Sequence, residues 1–455
     1  MRPKTKKQLS LTADWLGFEQ SQELSAIAQI LDAHPTAGLM VWQDLEAAGL
    51  AKPGAAGREG LSGEQVLRAL VIKQLNGFSY RELSFHLADS ATYGKFCQLE
   101  WSEKPSKSAL AACIKVIRAQ TLEKINRLLV GEAKLRKIDN GKKVRVDTTV
   151  VESNILQPVD SGLLRDSVRV LTRIMQRVST HFGSRMTIPN RNKHAKRRAL
   201  GILNARNADK RKPLYVDLVK VTQETIARAA TVILTLDGAI KRKKARFEEL
   251  KELRAQLAHY SALASRVVAQ TRRRVFAGES VPAAEKIVSI FEPHTDVIVK
   301  DRRDTLYGHK ICMSTGKSSL VLDCKILEGN PADSTLAEMM IERHIEITGR
   351  APRQAAYDGG FASLANLEAL KAKGVEDVAF SKARSLSVAD MVRSNWVYKK
   401  LRDFRAGIEA TISFLKRSFG LDRCTWRTFD SFKSYVWSSV VSFNLLLMAR
   451  RQLQA

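Results

Sequence analysis

Residues Leu401–Phe419 read LRDFRAGIEATISFLKRSF. At about 100° per residue, Arg402, Arg405, Glu409 and Lys416 fall within a sector of roughly 60°, and Leu401, Phe404, Ile408, Ile412, Leu415 and Phe419 within an adjacent sector of roughly 80°. The spacing predicts a helix that buries one apolar stripe and presents a single acid among three bases on the next. A solvated ion-pair face has the same pattern, so the stripe gains chemical meaning only from acids elsewhere in the chain.

Two such acids interrupt strand-like segments. Lys142–Val151 (KKVRVDTTVV) is β-branched and alternating, with Asp147 inside it. Gln354–Tyr357 leads into Asp358-Gly359-Gly360, and GVEDVAF (Gly374–Phe380) follows one helix later, a strand-helix-strand pattern that implies a parallel α/β portion. Between them DVIVKD, HKICMST, a Gly316-Lys317 turn and SSLVLDCKIL predict a β-hairpin preceded by an edge strand. A pair of divalent cations about 4 Å apart needs several carboxylate oxygens from different elements to activate a hydroxyl at a phosphodiester. Asp147, Asp358 and Glu409 are a strand-strand-helix set of that kind, although 47 acids offer many triples.

Composition narrows the partner. The 455 residues carry 75 Lys and Arg against 47 Asp and Glu, a formal charge of +28, which points to a polyanion, by default nucleic acid. Arg191–Ser280 holds 22 of the bases and 8 of the acids, so 90 residues carry half of the excess. This stretch belongs to a region, about 153–290, that reads as almost entirely helical. Exposed helices laced with i,i+4 pairs explain its Glu-Lys alternation but not its net charge.

Five widely spaced cysteines without a CxxC pair support neither a disulfide framework nor a zinc knuckle, and a reducing compartment follows. No secretory signal is expected at the basic N-terminus, and Tyr435–Ala449, with three serines and an Asn, reads as a core helix rather than a membrane span. The expectation is a soluble, cytoplasmic protein without a membrane partner. Gly316-Lys317-Ser318 lacks the earlier glycine of a phosphate-binding loop, and no HExxH, GxSxG or GxGxxG occurs.

Near the N-terminus, Glu64–Asn76 is apolar at helical spacing and is stopped by Gly77. Ser79-Tyr80-Arg81-Glu82 then forms a capping-box signature ahead of Leu83, Phe85 and Leu87. A further helix is expected from Ser106 or Ser108 to about Gln120, with Lys107, Lys115 and Arg118 exposed. A helix-turn-helix DNA reader needs such a basic face, and a plain helical bundle shares the pattern.

The order of strand Asp, hairpin, strand Asp and helix Glu resembles the RNase H-like DDE transposases of bacterial insertion sequences. VRVDTTVVESNI resembles their first-Asp strand, YGHKICMST with LEGNPADST their hairpin and following turn, and YDGGFAS their second-Asp loop. Arg405-x3-Glu409-x6-Lys416 matches their C-terminal signature Tyr-x2-Arg-x3-Glu-x6-Lys, with Arg402 in place of the tyrosine. The segment EQVLRALVIKQLNGFSYRELSFHLADSATYGKFCQLE resembles the helical domain that precedes the catalytic domain in many of them.

The resemblance implies an α/β fold: an RNase H-like mixed sheet with flanking helices over 139–455, interrupted by the basic helical insertion at 153–290, after an all-α DNA-binding domain at 1–138. It implies that Asp147, Asp358 and Glu409 hold two Mg2+ ions, with Mn2+ as a substitute. Arg402, Arg405 and Lys416 are expected on phosphates of the element ends, joined by Lys107 and the basic arm Arg2, Lys4, Lys6 and Lys7. Asn330 and Asp333 are rim candidates with an equal reading as turn residues, and His309 lies beside the hairpin. Trp426, between Arg423 and Arg427, is a candidate platform for a displaced base. The implied activity is cleavage at element ends and transfer of the 3′ hydroxyls to target DNA, by a homodimer on double-stranded DNA in a bacterial, nucleoid-associated setting. A nuclease that does not join, or a DNA-binding module of the same fold without catalysis, are the alternatives.

Overall fold

The computed structural model describes residues 18–51, 60–100, 102–183, 186–241, 247–300, 304–382 and 386–454. The chain divides into two compact units, one of 1–153 with 309–455 and one of 154–308.

Among the described residues the first unit opens with seven helices, α1 (Glu19–Asp32), α2 (Pro35–Ala47), α3 (Gly63–Asn76), α4 (Tyr80–Asp89), α5 (Ala91–Phe96), α6 (Lys107–Lys115) and α7 (Ala119–Leu135). Local chemistry sets their ends. Ser62 and Gln65 form a capping box at the start of α3, and Gly77 closes the helix at φ 65°, a left-handed conformation that favours glycine. Ser79 and Glu82 cap α4 reciprocally, as their spacing predicts. The helix expected to run to Gln120 stops at Lys115 instead. Ile117 is buried, the Arg118 N–H donates to Asp44 Oδ2 at 2.9 Å, and the chain restarts as α7.

Strand β1 (Lys143–Glu152) follows, and beyond the second unit come β3 (Asp304–Thr315, after β2 at Asp296–Lys300) and β4 (Val321–Ile326). Next are α12 (Ala337–Thr348), β5 (Gln354–Tyr357), α13 (Leu364–Ala372), β6 (Asp377–Phe380), α14 (Val388–Met391), α15 (Asn395–Ser418) and α16 (Phe429–Leu453). Strand β3 pairs with β1 and, antiparallel, with β4; β1, β5 and β6 are parallel neighbours. The β3–β4 turn holds Gly316, where a side chain would collide with the Asp139 carboxylate, itself accepting from the Ser318 N–H and hydroxyl at 2.7 Å. Gly316-Lys317-Ser318 is therefore a hairpin turn.

Helices α1–α7, which lie in the stretch 1–138 expected as a domain of its own, share one apolar core with the sheet and with α16. Helix α16 is buried along most of its length and packs on α7, α1 and α3, in keeping with a core helix at Tyr435–Ala449. Its buried Asn444 accepts from the Val321 N–H (2.9 Å) and donates to Val321 O (2.8 Å) and Asn126 Oδ1 (2.7 Å), tying α16 and α7 to β4. Among the described residues no helix is long and apolar enough to cross a membrane.

The second unit contains α8 (Asp160–Ser179), α9 (Asn192–Asn204), α10 (Ala208–Lys241) and α11 (Phe247–Thr271), so the helical reading of the insertion matches its elements. It also contains β2, which pairs antiparallel with 304–308 of β3. Along α10, buried Leu218, Thr222, Thr225, Ala229, Val232, Leu236 and Ala239 recur at alternating steps of four and three, joined by Val219 and Val221, and the helix packs on α8, α9 and α11. Lys193, Lys196, Arg197, Arg206, Lys210, Arg211, Lys212 and Lys220 stay exposed.

His344 on α12 is buried, and burial pushes its imidazole down to about 4. Below the unfolded value near 6.5 the unfolded chain binds a proton that the folded one refuses, so this group's stabilisation is present above about pH 6.5 and lost toward pH 4. Between pH 7 and 4.5 wild type should lose about 2 kcal/mol more unfolding free energy than His344→Gln. Parallel denaturant titrations at the two pH values check this, and equal losses would contradict it.

Candidate active site

Parallel pairing brings the two aspartates together. The β1–β5 ladder ends on Val146↔Tyr357, and Asp147 and Asp358 are the next residue on each strand. Neighbouring strands lie about 4.8 Å apart, so the acids stand side by side where the pairing stops, Asp147 midway along β1 and Asp358 just beyond the carboxyl end of β5. Helix α15 packs on β1, β5 and β6 and supplies the third acid, Glu409.

A single guanidinium joins all three. Arg405 Nη2 lies 2.8 Å from Asp147 Oδ2 and 3.4 Å from Asp358 Oδ1, and Nη1 lies 2.8 Å from Glu409 Oε1. The Arg405 and Asp147 side chains are 16% and 13% exposed, whereas Glu409 is 62% exposed and forms the open side. Burial pushes the Asp147 carboxyl above its ordinary value, and the Arg405 charge and the Thr148 N–H, donating at 2.8 Å, offset this in part. For Asp358, burial acts the same way, but hydrogen bonds from Ser381 Oγ (2.8 Å) and the Gly359 N–H, with the Arg405 charge, outweigh it and hold the carboxyl below its ordinary value. Two neighbouring acids thus have opposite tendencies because one is deeper and the other better solvated by donors.

Asp333 forms one wall. Its Oδ1 accepts from the Thr148 hydroxyl and from Lys310 Nζ, each at 3.1 Å, and a side chain at Gly360 would meet its Oδ2 at 2.9 Å. It therefore bridges the two aspartate segments, while Asn330 is exposed in the preceding turn. Two other rim candidates are corrected. His309 is 2% exposed, packed against the Phe429 and Phe432 rings, and Trp426 is 4% exposed, edge-on to Tyr435. Both serve the core under α16, so neither offers a face to a base or an ion.

The bases of the α15 stripe separate. Arg405 is on the acids rather than free on the surface, Lys416 lies 3.8 Å from Asp422, and Arg402 is exposed with its guanidinium 5.8 Å from the Tyr398 ring centre. Lys107 is exposed at the start of α6. Arg2, Lys4, Lys6 and Lys7 lie outside the described residues. Sequence reading missed Ser381, Thr148 and Lys310; Ser381 directly follows β6, so the carboxyl-end rule that marks Asp358 marks it too.

Three carboxylates are hard oxygen donors suited to Mg2+ or Mn2+. Among the described residues no three acidic, imidazole or thiol groups stand as a ready chelate, and a guanidinium satisfies the acids instead. The donor set fits a divalent ion by chemistry and charge, and that ion would compete with Arg405.

Residues 299–445 match the family described as Transposase DDE domain. The match covers about a third of the chain and includes Asp358 and Glu409, while Asp147 precedes it. No curated protein and no solved structure matches the chain. The family match supports a DDE transposase, a DNA-processing enzyme of a family that works with divalent metal.

If Arg405 holds the acids together, Arg405→Met should leave three carboxylates facing one another and destabilise the fold by on the order of 2 kcal/mol in chelator at low salt. Millimolar Mg2+ should raise the melting temperature of the variant more than that of wild type. Equal melting curves in chelator would contradict the assignment.

Proposed function

We propose that the protein is an insertion-sequence transposase that binds the ends of its element, cuts there and transfers the 3′-hydroxyl ends to target DNA. The observation that carries this reading is the meeting of Asp147, Asp358 and Glu409 on one cation, where the parallel pairing of β1 and β5 stops. A hairpin strand beside β1, with β5 and β6 on its other flank, is consistent with an RNase H-like sheet. The family match at 299–445 supports the same class.

In this reading Asp147, Asp358 and Glu409 hold two Mg2+ ions, which when bound activate the attacking hydroxyl and offset charge on the scissile phosphate. The chain's own groups prepare the site. The Thr148 N–H fixes Asp147 Oδ1 and leaves Oδ2 on Arg405, while the Ser381 hydroxyl holds Asp358 Oδ1, the oxygen that also faces Arg405. Arg405 holds the acids close, and a DNA phosphate is the natural alternative acceptor for its fork. Lys310 neutralises Asp333 so that this fourth acid does not repel the strand. The open side at Glu409 admits the duplex.

Arg402 and Lys416 on α15, Lys107 on α6, the basic arm Arg2, Lys4, Lys6 and Lys7, and the exposed bases of α9 and α10 are the proposed phosphate contacts. Affinity for double-stranded DNA then falls steeply with salt. Cutting two ends in one complex calls for a homodimer on DNA, in a bacterial cytoplasm beside the nucleoid.

Purified protein incubated with Mg2+ and a supercoiled plasmid carrying the gene with its native flanks should break the plasmid at the two element ends, and Glu409→Ala should bind with the same salt slope but not cut. Salt-dependent binding without wild-type breaks would replace this reading by a non-catalytic DNA-binding module. Breaks without joined products would leave a nuclease.

A further inference from the structure

Alternation along a strand puts Lys143, Arg145 and Asp147 on one face of β1, and each of the three meets α15. Lys143 Nζ lies 4.4 Å from the Phe404 ring centre, and the Arg145 guanidinium carbon 4.7 Å from the same ring. Arg145 Nη1 donates to the Phe404 carbonyl at 2.8 Å, and Asp147 receives Arg405, the next residue on the helix.

Arg145 itself is an unusual group for a strand interior. It is 5% exposed, and it donates to three neutral acceptors, Thr315 Oγ1, Ser319 Oγ and Phe404 O, each at 2.8 Å. Thr315 and Ser319 flank the β3–β4 turn, so one side chain links β1, the hairpin and α15. Taking a guanidinium out of water is costly, and neutral acceptors offset that less well than a carboxylate would. The helix yields to it as well. Gly407 faces Arg145, and an added Cβ there would collide with Nη1. Glycine inside a helix is less favourable than alanine, so this position trades helix propensity for the close approach of the arginine.

We infer that Arg145 is a positioning residue for the proposed DNA-cleaving site: with Gly407 it sets the register of α15 on β1, and through it the meeting of Arg405 and Glu409 with Asp147. A one-residue slide would move Glu409 about 1.5 Å along the axis and turn it by about 100°. The inference rests on the transposase reading for its catalytic consequence and on the β1–α15 contacts for its mechanics.

The full chain is tested as Arg145→Lys, Gly407→Ala and the double variant Arg145→Ala/Gly407→Ala. Melting temperature, DNA affinity, single-turnover cleavage in Mg2+ and Tb3+ affinity by luminescence are measured for each. A lysine reaches fewer of the three acceptors, so Arg145→Lys should melt as a folded protein and bind DNA within about twofold of wild type. It should cut on the order of 100-fold more slowly, the scale of a misplacement near 1 Å, and bind Tb3+ more weakly. Gly407→Ala should lower both stability and cleavage. The double variant, in which the clash is gone, should recover melting temperature but not cleavage or Tb3+ affinity. Wild-type cleavage by Arg145→Lys, or recovery of cleavage along with stability in the double variant, would overturn the inference. If wild type does not cut, the transposase reading fails while the Tb3+ affinities still decide the register role, since equal values for wild type and Arg145→Lys would overturn it.

Discussion

Three carboxylates from three separate elements share one guanidinium, and the rest of the site is arranged so that this is possible. Burial alone drives the Asp147 carboxyl toward its neutral form, and a second and third acid nearby would drive it further. Arg405 opposes that tendency in part from a single point, because its planar fork reaches Asp147 and Asp358 through one nitrogen and Glu409 through the other. A lysine at this position, with one point charge, would not span them in the same way.

That contact depends on two registers. The first is the parallel pairing of β1 with β5, which ends one residue before both aspartates and makes them lateral neighbours. The second is the seating of α15 on β1, where Lys143, Arg145 and Asp147 each engage the Phe404–Arg405 turn of the helix. Beneath them, Asn444 of α16 bonds the backbone of Val321 on the hairpin, so the core helix holds the strand pair that flanks β1. The N-terminal helices belong to the same core, which explains why a chain division expected near residue 138 is not a break in packing.

Much of this was legible in the sequence where a period or a cap carried the signal. The α15 stripe followed from 3.6-residue spacing, the α3 and α4 ends from Gly77 and the Ser79–Glu82 pair, and Asp147 and Asp358 from being acids at strand positions. What failed was partner choice, which spacing does not encode. The stripe shows which helix face Arg405 occupies, and so suggests a DNA phosphate as its partner, but not that Asp147 and Asp358 lie beneath it. Arg145 was passed over as one more base in a basic chain, although a charge between Val144 and Val146 marks a buried position as clearly as Asp147 does. Trp426 and His309 were placed at the rim by their neighbours in sequence, whereas α16 covers both.

The central claim is that Asp147, Asp358 and Glu409 act as one divalent-cation site. Its most direct test counts Mn2+ bound by the full chain, using electron paramagnetic resonance of the free ion, for wild type and for Asp147→Asn, Asp358→Asn and Glu409→Gln separately. The account requires saturable binding by wild type that each single substitution weakens at least tenfold. Undiminished Mn2+ binding by any one of the three variants would show that its carboxylate does not belong to the site, and would contradict the account.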